Sequence, residues 1–490
     1  MPGDVLGELK WRGLVHQVTD PQLGERLKKE SLAVYCGFDP SADSLHLGNL
    51  MGLINLARFQ KAGHKAIAIA GGGTGFIGDP SGKSAERSLL TAEQLDANCR
   101  GIQEVISRIF RNAGAGEARL INNADWLCKL SLIEFLRDTG KHFTVNHMVA
   151  KDSVKSRMDD REHGISFTEF SYMLLQAYDF WHLFKTFGCR MQIGGSDQWG
   201  NITAGCDLIR RRIFVDTIQA ASKSRSVLPH ELAEKAEKAA KVIENYTSNQ
   251  IDKVLKEGIT QGEFKVVAAF SQPAYGLTWP LLVRSDGKKF GKTEDGAVWL
   301  SAHRTSPYAL YQYFINVPDA DAGTMLRWFT ELPQAEIEAL EARHAAEPAK
   351  REAQRALARE LTRLVHGEDE TRKAEQAAAA LFGGGAKDGD AGLAGLDEAT
   401  LLELVKEAPN GPLAKARLNG EGALFIDLMA ESGLWKSKGE AKRAIQQGGA
   451  NLNNVRVSDL GKKVNSGELL HGKYLVLRKG KKEYFLFKAE

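Results

Sequence analysis

The stretch that decides the fold is Tyr35-Cys-Gly-Phe-Asp-Pro-Ser-Ala-Asp-Ser-Leu-His-Leu-Gly-Asn49. The apolar run that leads to Tyr35 predicts a short buried strand, and the glycine and proline after it predict a loop. From His46 the apolar spacing predicts a helix, which Asp43 or Ser44 is expected to cap. A strand, a loop and a helix start in this order direct backbone N–H groups toward an anion. His46 and Asn49 share one face of the first turn, where both side chains can donate to one phosphate.

The composition indicates a globular protein of several domains. The chain has 490 residues, of which 43% are hydrophobic and 26% charged, so we expect two to four domains. Its five cysteines form no C-x-x-C pair, which predicts neither a zinc cage nor a disulfide framework and fits a reducing compartment. No apolar run has the length of a membrane span, and the first residues lack the pattern of a signal or transit peptide.

Strands and helices alternate over residues 31–205. Besides the first strand, the predicted strands are Ala66–Ala70, Arg119–Asn122 and Arg190–Ile193. This alternation predicts an α/β fold with a Rossmann-like, doubly wound parallel sheet. Ligands of such sheets bind beyond the carboxyl ends of the strands, at the point where the strand order reverses. Three of these strand ends carry glycines, so we expect a nucleotide pocket there.

Two later segments make the first stretch more specific. They are Gly194-Gly-Ser-Asp-Gln-Trp-Gly-Asn201 and Lys288-Lys-Phe-Gly-Lys-Thr293. Together the three segments resemble the nucleotide-binding motifs of class I aminoacyl-tRNA synthetases, and nearly the whole chain resembles the bacterial-type tyrosyl-tRNA synthetases. Two positions differ from the common class pattern: Asn49 stands where the first motif usually ends in histidine, and Phe290-Gly291 stands where the second usually has Met-Ser.

The resemblance implies a ligase that joins tyrosine to tRNA(Tyr). Such an enzyme activates L-tyrosine with ATP and Mg²⁺ to tyrosyl-adenylate and pyrophosphate, and then transfers tyrosine to the 3′ end of the tRNA. The family implies a cytoplasmic homodimer, with no dedicated metal cage in the protein and no membrane partner. The residues that the resemblance assigns to catalysis are His46, Asn49, Lys289, Lys292 and Thr293.

A polar stripe marks the predicted amino-acid site. Tyr172, Gln176 and Asp179 lie on one face of a helical run. Polar groups that face a core need partners, since an unpaired one costs about 1–3 kcal/mol. From the residues alone, they satisfy either one another, the backbone or a ligand. The resemblance favours a ligand and assigns tyrosine binding to Tyr35, Asp79, Tyr172, Gln176, Asp179 and Gln198.

Within that set the resemblance implies separate roles. Tyr35 and Asp179 would contact the phenolic hydroxyl of the substrate, and Asp79 would bind its amino group with Tyr172 and Gln176. Gln198, together with Gln192, resembles family residues near the tyrosine carboxylate and the α-phosphate. The residues that the resemblance assigns to ATP binding are Gly37, Asp39, Ser41, His46, Gly48, Asn49, Lys83, Arg87, Gly195, Asp197 and Lys292.

Three domains are predicted along the chain. They are a catalytic Rossmann-like domain over 1–318 with an extra helical segment at about 223–270, a helical domain for the tRNA anticodon arm over 319–415, and a small α+β domain over 421–490. Residues 383–392 are rich in glycine and predict a flexible linker.

The last 70 residues carry a basic surplus of 13 Lys and Arg against 8 Asp and Glu. A helix pair followed by strands resembles the S4 RNA-binding module there. The basic residues that would contact tRNA phosphates are Lys436, Lys438, Lys442 and Arg443.

Two alternatives stay open at this point. A tryptophan-specific relative shares the fold, although Tyr35 with Asp179 favours a phenol. A non-catalytic or dual-role RNA-binding or splicing protein on the same scaffold is the other alternative, against which the lysine loop and His46 argue.

Overall fold

The structure is a computed structural model. It describes residues 2–81, 90–151, 154–155, 158, 164–223, 273–281, 283, 285, 290, 292–293, 296–382, 392–406, 408–480 and 483–490. The chain divides into two compact units. Unit 1 comprises Met1–Thr305 and Pro318–Ala353, and unit 2 comprises Ser306–Val317 and Gln354–Glu490. The boundaries predicted at 318, 415 and 421 stay predictions.

In the part of the chain that the structure describes, helices and strands alternate through most of unit 1, and the following elements are seen in both units. The helices are α1 (Val5–Trp11), α2 (Leu23–Lys29), α3 (Leu47–Lys61), α4 (Ala92–Asn112), α5 (Ala124–Leu127), α6 (Leu132–Asp138), α7 (Val145–Val149), α8 (Phe167–Phe187), α9 (Trp199–Lys223), α10 (Pro307–Ile315), α11 (Asp319–Phe329), α12 (Gln334–Ala346), α13 (Glu352–His366), α14 (Glu368–Phe382), α15 (Glu398–Leu404), α16 (Phe425–Glu431) and α17 (Lys438–Gln447). The strands are β1 (Gln17–Val18), β2 (Ala33–Phe38), β3 (Lys65–Ala70), β4 (Arg119–Asn122), β5 (Cys189–Gly195), β6 (Tyr275–Trp279), β7 (Lys292–Thr293), β8 (Gly296–Ala297), β9 (Asn410–Leu413), β10 (Ala423–Leu424), β11 (Ala450–Leu452), β12 (Val455–Arg456), β13 (Lys463–Val464), β14 (Tyr474–Lys479) and β15 (Glu483–Ala489).

A six-stranded sheet with the order β1-β6-β5-β2-β3-β4 forms the centre of unit 1. The pairs from β6 to β4 are parallel, and β1 joins β6 antiparallel. The chain runs from β2 outward through β3 and β4 and then returns to the other side of β2 as β5. The strand order therefore reverses between β2 and β5, as in a doubly wound sheet. The Rossmann-like α/β fold that the sequence predicts is confirmed.

Apolar side chains from the sheet and two long helices form one core. Tyr35 and Ile67 on the strands belong to the same buried cluster as Phe180 on α8 and Ile209 on α9. Tyr35 meets Phe180 edge to face, with ring centroids 5.1 Å apart. Helix α8, which carries Tyr172, Gln176 and Asp179, is thereby packed against the strands of the sheet.

The predicted cap of α3 is wrong. The helix begins at Leu47, and His46 is its N-cap rather than Asp43 or Ser44. Asp43 instead accepts hydrogen bonds from Arg304 and from His303, and Ser44 donates its hydroxyl to the Leu45 carbonyl at 2.9 Å. Both short polar side chains are thus used before the helix starts, which leaves capping to the histidine.

Unit 2 contains a helical part and an α+β part. The helical part includes α10 and α14, which pack against each other. The α+β part has a five-stranded sheet with the order β12-β11-β14-β15-β9, and α16 and α17 share a core with its strands. A helical middle and a C-terminal α+β module were both predicted, and both are confirmed.

Two predicted segments lie almost entirely outside the described residues. They are residues 224–272, which hold nearly all of the extra segment, and residues 383–391 of the linker. In the part of the chain that the structure describes, no helix is long and apolar enough to cross a membrane.

Candidate active site

The loop after β2 holds a carboxylate between two hydroxyl groups. Asp39 accepts hydrogen bonds from the Tyr172 hydroxyl at 3.3 Å and from the Thr74 hydroxyl at 3.2 Å. Its backbone carbonyl accepts from the Ser41 N–H at 2.9 Å. Gly37 is exposed, and a Cβ built there would meet nothing within 4 Å. The carboxyl end of β2 therefore combines an open side with a fixed acceptor.

His46 is held by the first turn of α3. Its Nδ1 accepts from the Gly48 N–H at 3.0 Å, and the Asn49 side-chain oxygen accepts from the His46 N–H at 3.1 Å. Because Nδ1 acts as the acceptor, this geometry assigns the proton of the neutral imidazole to Nε2. His46 thus presents Nε2–H as a donor, and Asn49 keeps its amide N–H groups for donation.

The chain that follows the lysine motif lies beside His46. The Leu47 N–H donates to the Val298 carbonyl at 2.9 Å, and the Leu300 N–H donates to the Leu45 carbonyl at 2.8 Å. The Trp299 ring meets the His46 ring edge to face, with centroids 6.1 Å apart. Strand β7, which consists of Lys292 and Thr293, pairs with β8 immediately before this segment. The segment that follows the lysine motif is therefore hydrogen-bonded to the segment that contains His46.

A buried carboxylate lies at the other end of the site. Asp179 on α8 accepts from the Asn123 amide at 2.8 Å and from the Trp126 indole N–H at 2.7 Å, one donor for each carboxylate oxygen. Burial raises the pKa of Asp179 to about 7, although the two donors act to lower it. The carboxylate is therefore held in place at a substantial desolvation cost.

Tyr35 lies buried beside this carboxylate. Burial raises the pKa of its hydroxyl, and the negative charge of Asp179 raises it further. The Tyr35 hydroxyl has no hydrogen-bond partner among the described residues, and the side chain is 1% exposed. A buried hydroxyl without a partner is costly, so this part of the site suits a ligand that brings its own polar group.

A second set of polar side chains connects the turn after β5, the loop at Asp79, α8 and α9. Gln198 donates to Asp79 at 2.6 Å, and its side-chain oxygen accepts from Gln176 at 3.3 Å. Asn201 donates to the Gln176 oxygen at 3.0 Å, and the Ser81 N–H donates to Asp79 at 2.9 Å. This network fixes a carboxylate, Asp79, with acceptor capacity that a cationic group could use.

The carboxyl end of β5 leaves little room for a side chain. A Cβ at Gly195 would lie 2.5 Å from a carboxylate oxygen of Asp197, and a Cβ at Gly194 would lie 3.0 Å from the Gln198 Cβ. Gln192, on the same strand, is 3% exposed, and its side-chain oxygen has no partner among the described residues. We use the name strand-end pocket for the polar and aromatic side chains that strands, loops and helices contribute around these strand ends. Its members are Tyr35, Asp39, Thr74, Asp79, Asn123, Trp126, Tyr172, Gln176, Asp179, Gln192, Gln198 and Asn201.

Sequence reasoning missed some members of the strand-end pocket. Asn123 donates to the Thr74 hydroxyl at 3.0 Å as well as to Asp179, so it joins the buried carboxylate to the loop at Asp39. Asn123 directly follows the strand predicted at Arg119–Asn122, and the rule that placed ligands at strand ends would have found it. Trp126 on α5 carries no such signal.

The structure brings seven of the predicted site residues into the strand-end pocket: Tyr35, Asp39, Asp79, Tyr172, Gln176, Asp179 and Gln198. The resemblance groups Tyr172 and Gln176 with Asp79. The Tyr172 hydroxyl bonds to Asp39, whereas Gln176 reaches Asp79 through Gln198. Lys83, Arg87 and Lys289 lie outside the described residues, and only the backbone is described at Lys292 and Thr293.

In unit 2, α17 and the turn before it present cations to solvent. We call Lys436, Lys438, Lys442 and Arg443 the basic helix face; all four are exposed. Lys438 forms an ion pair with Asp427 at 2.8 Å. Among the described residues, Lys442 and Arg443 have no carboxylate partner. On the basic helix face, Lys438 is therefore paired with a carboxylate, whereas Lys442 and Arg443 are not paired with any described carboxylate.

Comparisons with known proteins agree with the class that this fold and site define. The family model described as tRNA synthetases class I (W and Y) matches residues 27–383. The family model described as the tyrosine–tRNA ligase SYY-like C-terminal domain matches residues 405–487.

Relatives along the full length make the class more specific. The tyrosine–tRNA ligase of Roseiflexus castenholzii is 47% identical over 99% of both chains, and that of Opitutus terrae is 43% identical over 99% of both. A solved structure of a C-terminally truncated mitochondrial tyrosyl-tRNA synthetase from Aspergillus nidulans is 29% identical, with a TM-score of 0.59, and the match covers 77% of this chain and 94% of that one. The chain belongs to the class I tRNA synthetases and, within them, to the tyrosine–tRNA ligases. This membership favours the ligase over the non-catalytic RNA-binding alternative.

Proposed function

We propose that the chain activates L-tyrosine with ATP and transfers it to the 3′ end of tRNA(Tyr), and that the strand-end pocket selects the tyrosine. The observation that carries the selection is the buried Tyr35 hydroxyl, unpaired among the described residues, beside the Asp179 carboxylate. A phenol would accept from Tyr35 and donate to Asp179, so both buried groups would gain a partner. The indole of tryptophan has no oxygen to accept from Tyr35, which favours tyrosine.

The amino group of tyrosine would pair with Asp79. Gln198 and the Ser81 N–H already hold this carboxylate at 2.6 and 2.9 Å, which fixes its position before the substrate arrives. A charge-assisted hydrogen bond to an ammonium group is stronger than a neutral one. Tyr172 and Gln176 would support this end of the substrate through Asp39 and Gln198.

Activation needs no protein nucleophile. The carboxylate oxygen of tyrosine attacks the α-phosphorus of ATP, the bond to the bridging oxygen breaks, and pyrophosphate leaves with the electron pair. The protein orients the two substrates and stabilises negative charge on the phosphates. His46, through Nε2–H, and Asn49, through its amide, are the described donors for that charge.

Other residues of the nucleotide site follow from the family resemblance. Lys83, Arg87, Lys289 and Lys292 would supply positive charge to the triphosphate, and Thr293 a hydroxyl. Gly37, Asp39, Ser41, Gly48, Gly195 and Asp197 would line the nucleotide, and the glycines among them would let the backbone approach it closely. Mg²⁺ would enter with ATP as part of the substrate; among the described residues, no group of three or more His, Cys, Asp or Glu is arranged to hold a metal ion.

ATP–pyrophosphate exchange with each of the twenty amino acids tests this function. We expect exchange with tyrosine and a strong preference for tyrosine over phenylalanine. Exchange with tryptophan instead would transfer the chain to the other branch of the family. No exchange with any amino acid would refute the ligase activity.

The basic helix face is the proposed tRNA contact of unit 2. Lys436, Lys442 and Arg443 present exposed charge, whereas Lys438 is paired with Asp427. Contacts of this kind bind phosphates and position the RNA without reading its sequence. We place the enzyme in the cytoplasm, where its five cysteines would stay as the free thiols that the structure contains.

A homodimer is supported by large apolar side chains that unit 1 leaves exposed. The most exposed are Phe167 at 78%, Ile133 at 71%, Leu132 at 69% and Val145 at 63%. They lie on or beside α6, α7 and the start of α8, a region where a second copy of the chain would bury them.

A charged residue introduced among these exposed apolar side chains should prevent the two copies of the chain from associating. Phe167→Asp would place a carboxylate in a dehydrated contact, so sedimentation velocity should report monomers at concentrations where the wild type is a dimer. Phe76→Asp, at an apolar side chain that is 37% exposed elsewhere in unit 1, is the matched control and should leave the dimer intact. A monomeric wild type would refute the dimer.

A further inference from the structure

Helix α8 holds the Trp126 side chain at two points. The indole N–H donates to Asp179 at 2.7 Å, and the ring stacks on the His182 imidazole with centroids 4.3 Å apart and planes 11° apart. Asp179 and His182 are three residues apart on this helix and therefore share a face. One helix thus fixes both the plane of the indole and the direction of its N–H.

His182 is itself held in a small aromatic layer. Its ring meets Phe187 edge to face with centroids 6.4 Å apart, and its Nε2 lies 3.5 Å from the Thr186 hydroxyl. The Arg119 guanidinium covers the other ring of this pair, 4.1 Å from the Phe187 centroid. His182 is half-buried and contacts Trp126 through a full ring face, which is the contact that restricts rotation of the indole.

We propose that His182 is a positioning residue for amino-acid selection, because its stack on Trp126 keeps the indole N–H on Asp179 and thereby keeps the carboxylate aimed at the phenolic hydroxyl. This inference rests on the proposed tyrosine specificity. His182 is not expected to contact the substrate. It acts through Trp126, and Asn123 alone would hold Asp179 if the indole turned.

The position of Asp179 determines how strongly the site rejects phenylalanine. A substrate without the hydroxyl leaves Asp179 and Tyr35 without their partner, and that loss is largest when Asp179 is fixed and ionised. Burial already raises the pKa of Asp179, and the indole N–H is one of two donors that oppose this rise. Without that donor the carboxyl is more often neutral and more mobile, so phenylalanine is rejected less.

The test is ATP–pyrophosphate exchange with tyrosine and with phenylalanine, in the wild type and in three variants. His182→Ala removes the stack, His182→Phe keeps a flat ring in its place, and Trp126→Phe keeps a ring but lacks the N–H. We expect His182→Ala to raise the KM for tyrosine roughly 3- to 10-fold, the range of one ordinary hydrogen bond, with kcat within about twofold. The ratio of kcat/KM for tyrosine to that for phenylalanine should fall by a similar factor.

The other variants separate positioning from a general structural effect. His182→Phe should restore both the KM and the ratio, and Trp126→Phe should reproduce the loss. The double variant His182→Ala/Trp126→Phe should lose no more than Trp126→Phe alone, because both changes remove the same hydrogen bond.

Two results would overturn the inference. One is an unchanged ratio in His182→Ala, and the other is an equal loss in His182→Ala and His182→Phe. Should His182→Ala fail to fold, wild-type selectivity in Trp126→Phe would overturn it as well. A wild-type enzyme without tyrosine-dependent exchange would overturn the proposed function and this inference together, whereas wild-type exchange with an unaltered ratio in the variants would overturn the inference alone.

Discussion

The strand-end pocket and the basic helix face bind their ligands by different physical means. In the pocket, Asp179 and Tyr35 are buried, and neighbouring donors fix the carboxylate at 2.7 and 2.8 Å. On the basic helix face, Lys442 and Arg443 are exposed. A buried group that loses its partner costs far more than an exposed one, so the pocket can reject a wrong ligand, whereas the face can only attract a negative one.

The difference predicts how each region responds to change. In the pocket, one substitution should alter a specific step by a large factor. On the basic helix face, one substitution should alter affinity slightly and in a manner that depends on salt.

The largest effect is expected at His46. His46→Asn keeps a good N-cap for α3 but removes Nε2–H from the phosphate site. The rate of adenylate formation should fall by about 10²- to 10³-fold, the usual loss for one donor aimed at developing charge. Stopped-flow or exchange kinetics would measure it. Full activity with asparagine would mean that His46 serves only as a cap.

A smaller effect is expected at Asp79. Asp79→Asn keeps one acceptor oxygen, for either Gln198 or the Ser81 N–H, and removes the charge that would pair with the amino group of tyrosine. The KM for tyrosine should rise by roughly 10- to 100-fold, as for the loss of a charge-assisted hydrogen bond. Inhibition by 3-(4-hydroxyphenyl)propionate, which lacks the amino group, is the control and should not weaken. An equal loss for both compounds would contradict an ammonium site at Asp79.

The buried carboxylate should also make stability depend on pH. The pKa of Asp179 is raised to about 7 in the folded protein from an ordinary value of 3.8. Between these values the unfolded chain binds fewer protons than the folded one, so stability falls as pH rises from about 4 to about 7 and is level above. Relative to Asp179→Asn, which does not titrate, the wild type should lose on the order of 1–4 kcal/mol over this range.

Thermal unfolding of both proteins between pH 5 and pH 8 measures this difference. The midpoint of the wild type should fall relative to that of the variant as the pH rises. A difference that stays constant with pH would mean that Asp179 ionises normally inside the pocket.

The smallest effects belong to the basic helix face. Lys442→Ala and Arg443→Ala should each weaken tRNA binding several-fold and reduce the salt dependence by about one unit in the slope of log K against log salt. Lys438→Ala is the matched control, because the ion pair with Asp427 already offsets its charge, and it should change binding less than twofold. Filter binding at several salt concentrations compares the three. Equal losses in all three would show that the ion pair opens when RNA binds.

The sequence predicted the sheet because local rules govern it, whereas the pocket residues were predicted partly from the strand ends and partly from the family resemblance. Apolar runs that end in glycine predicted β2, β3 and β5, and the rule that ligands bind at strand ends then predicted a nucleotide site near Asp39 and Gly195. Tyr172, Gln176 and Asp179 were found because helical spacing puts them on one stripe.

The rest could not be read from local patterns. Trp126 and His182 meet only because α5 packs against α8, and neither residue type signals such a contact. The choice of His46 as the cap of α3 depended on where Asp43 and Ser44 found partners, at Arg304 and at the Leu45 carbonyl. Both outcomes follow from tertiary contacts between segments far apart in the chain or from competition for hydrogen bonds.

The buried Asp179 carboxylate is expected to select tyrosine through the phenolic hydroxyl of the substrate. The direct test is the ratio of kcat/KM for tyrosine to that for phenylalanine in ATP–pyrophosphate exchange, measured in the wild type and in Asp179→Asn. Tyrosyl-tRNA synthetases are themselves the known example of this discrimination, at about 10⁵-fold. We expect a ratio of that kind in the wild type and a ratio lower by at least about tenfold in Asp179→Asn. A wild type that uses both amino acids equally, or a variant that discriminates as well as the wild type, would contradict it.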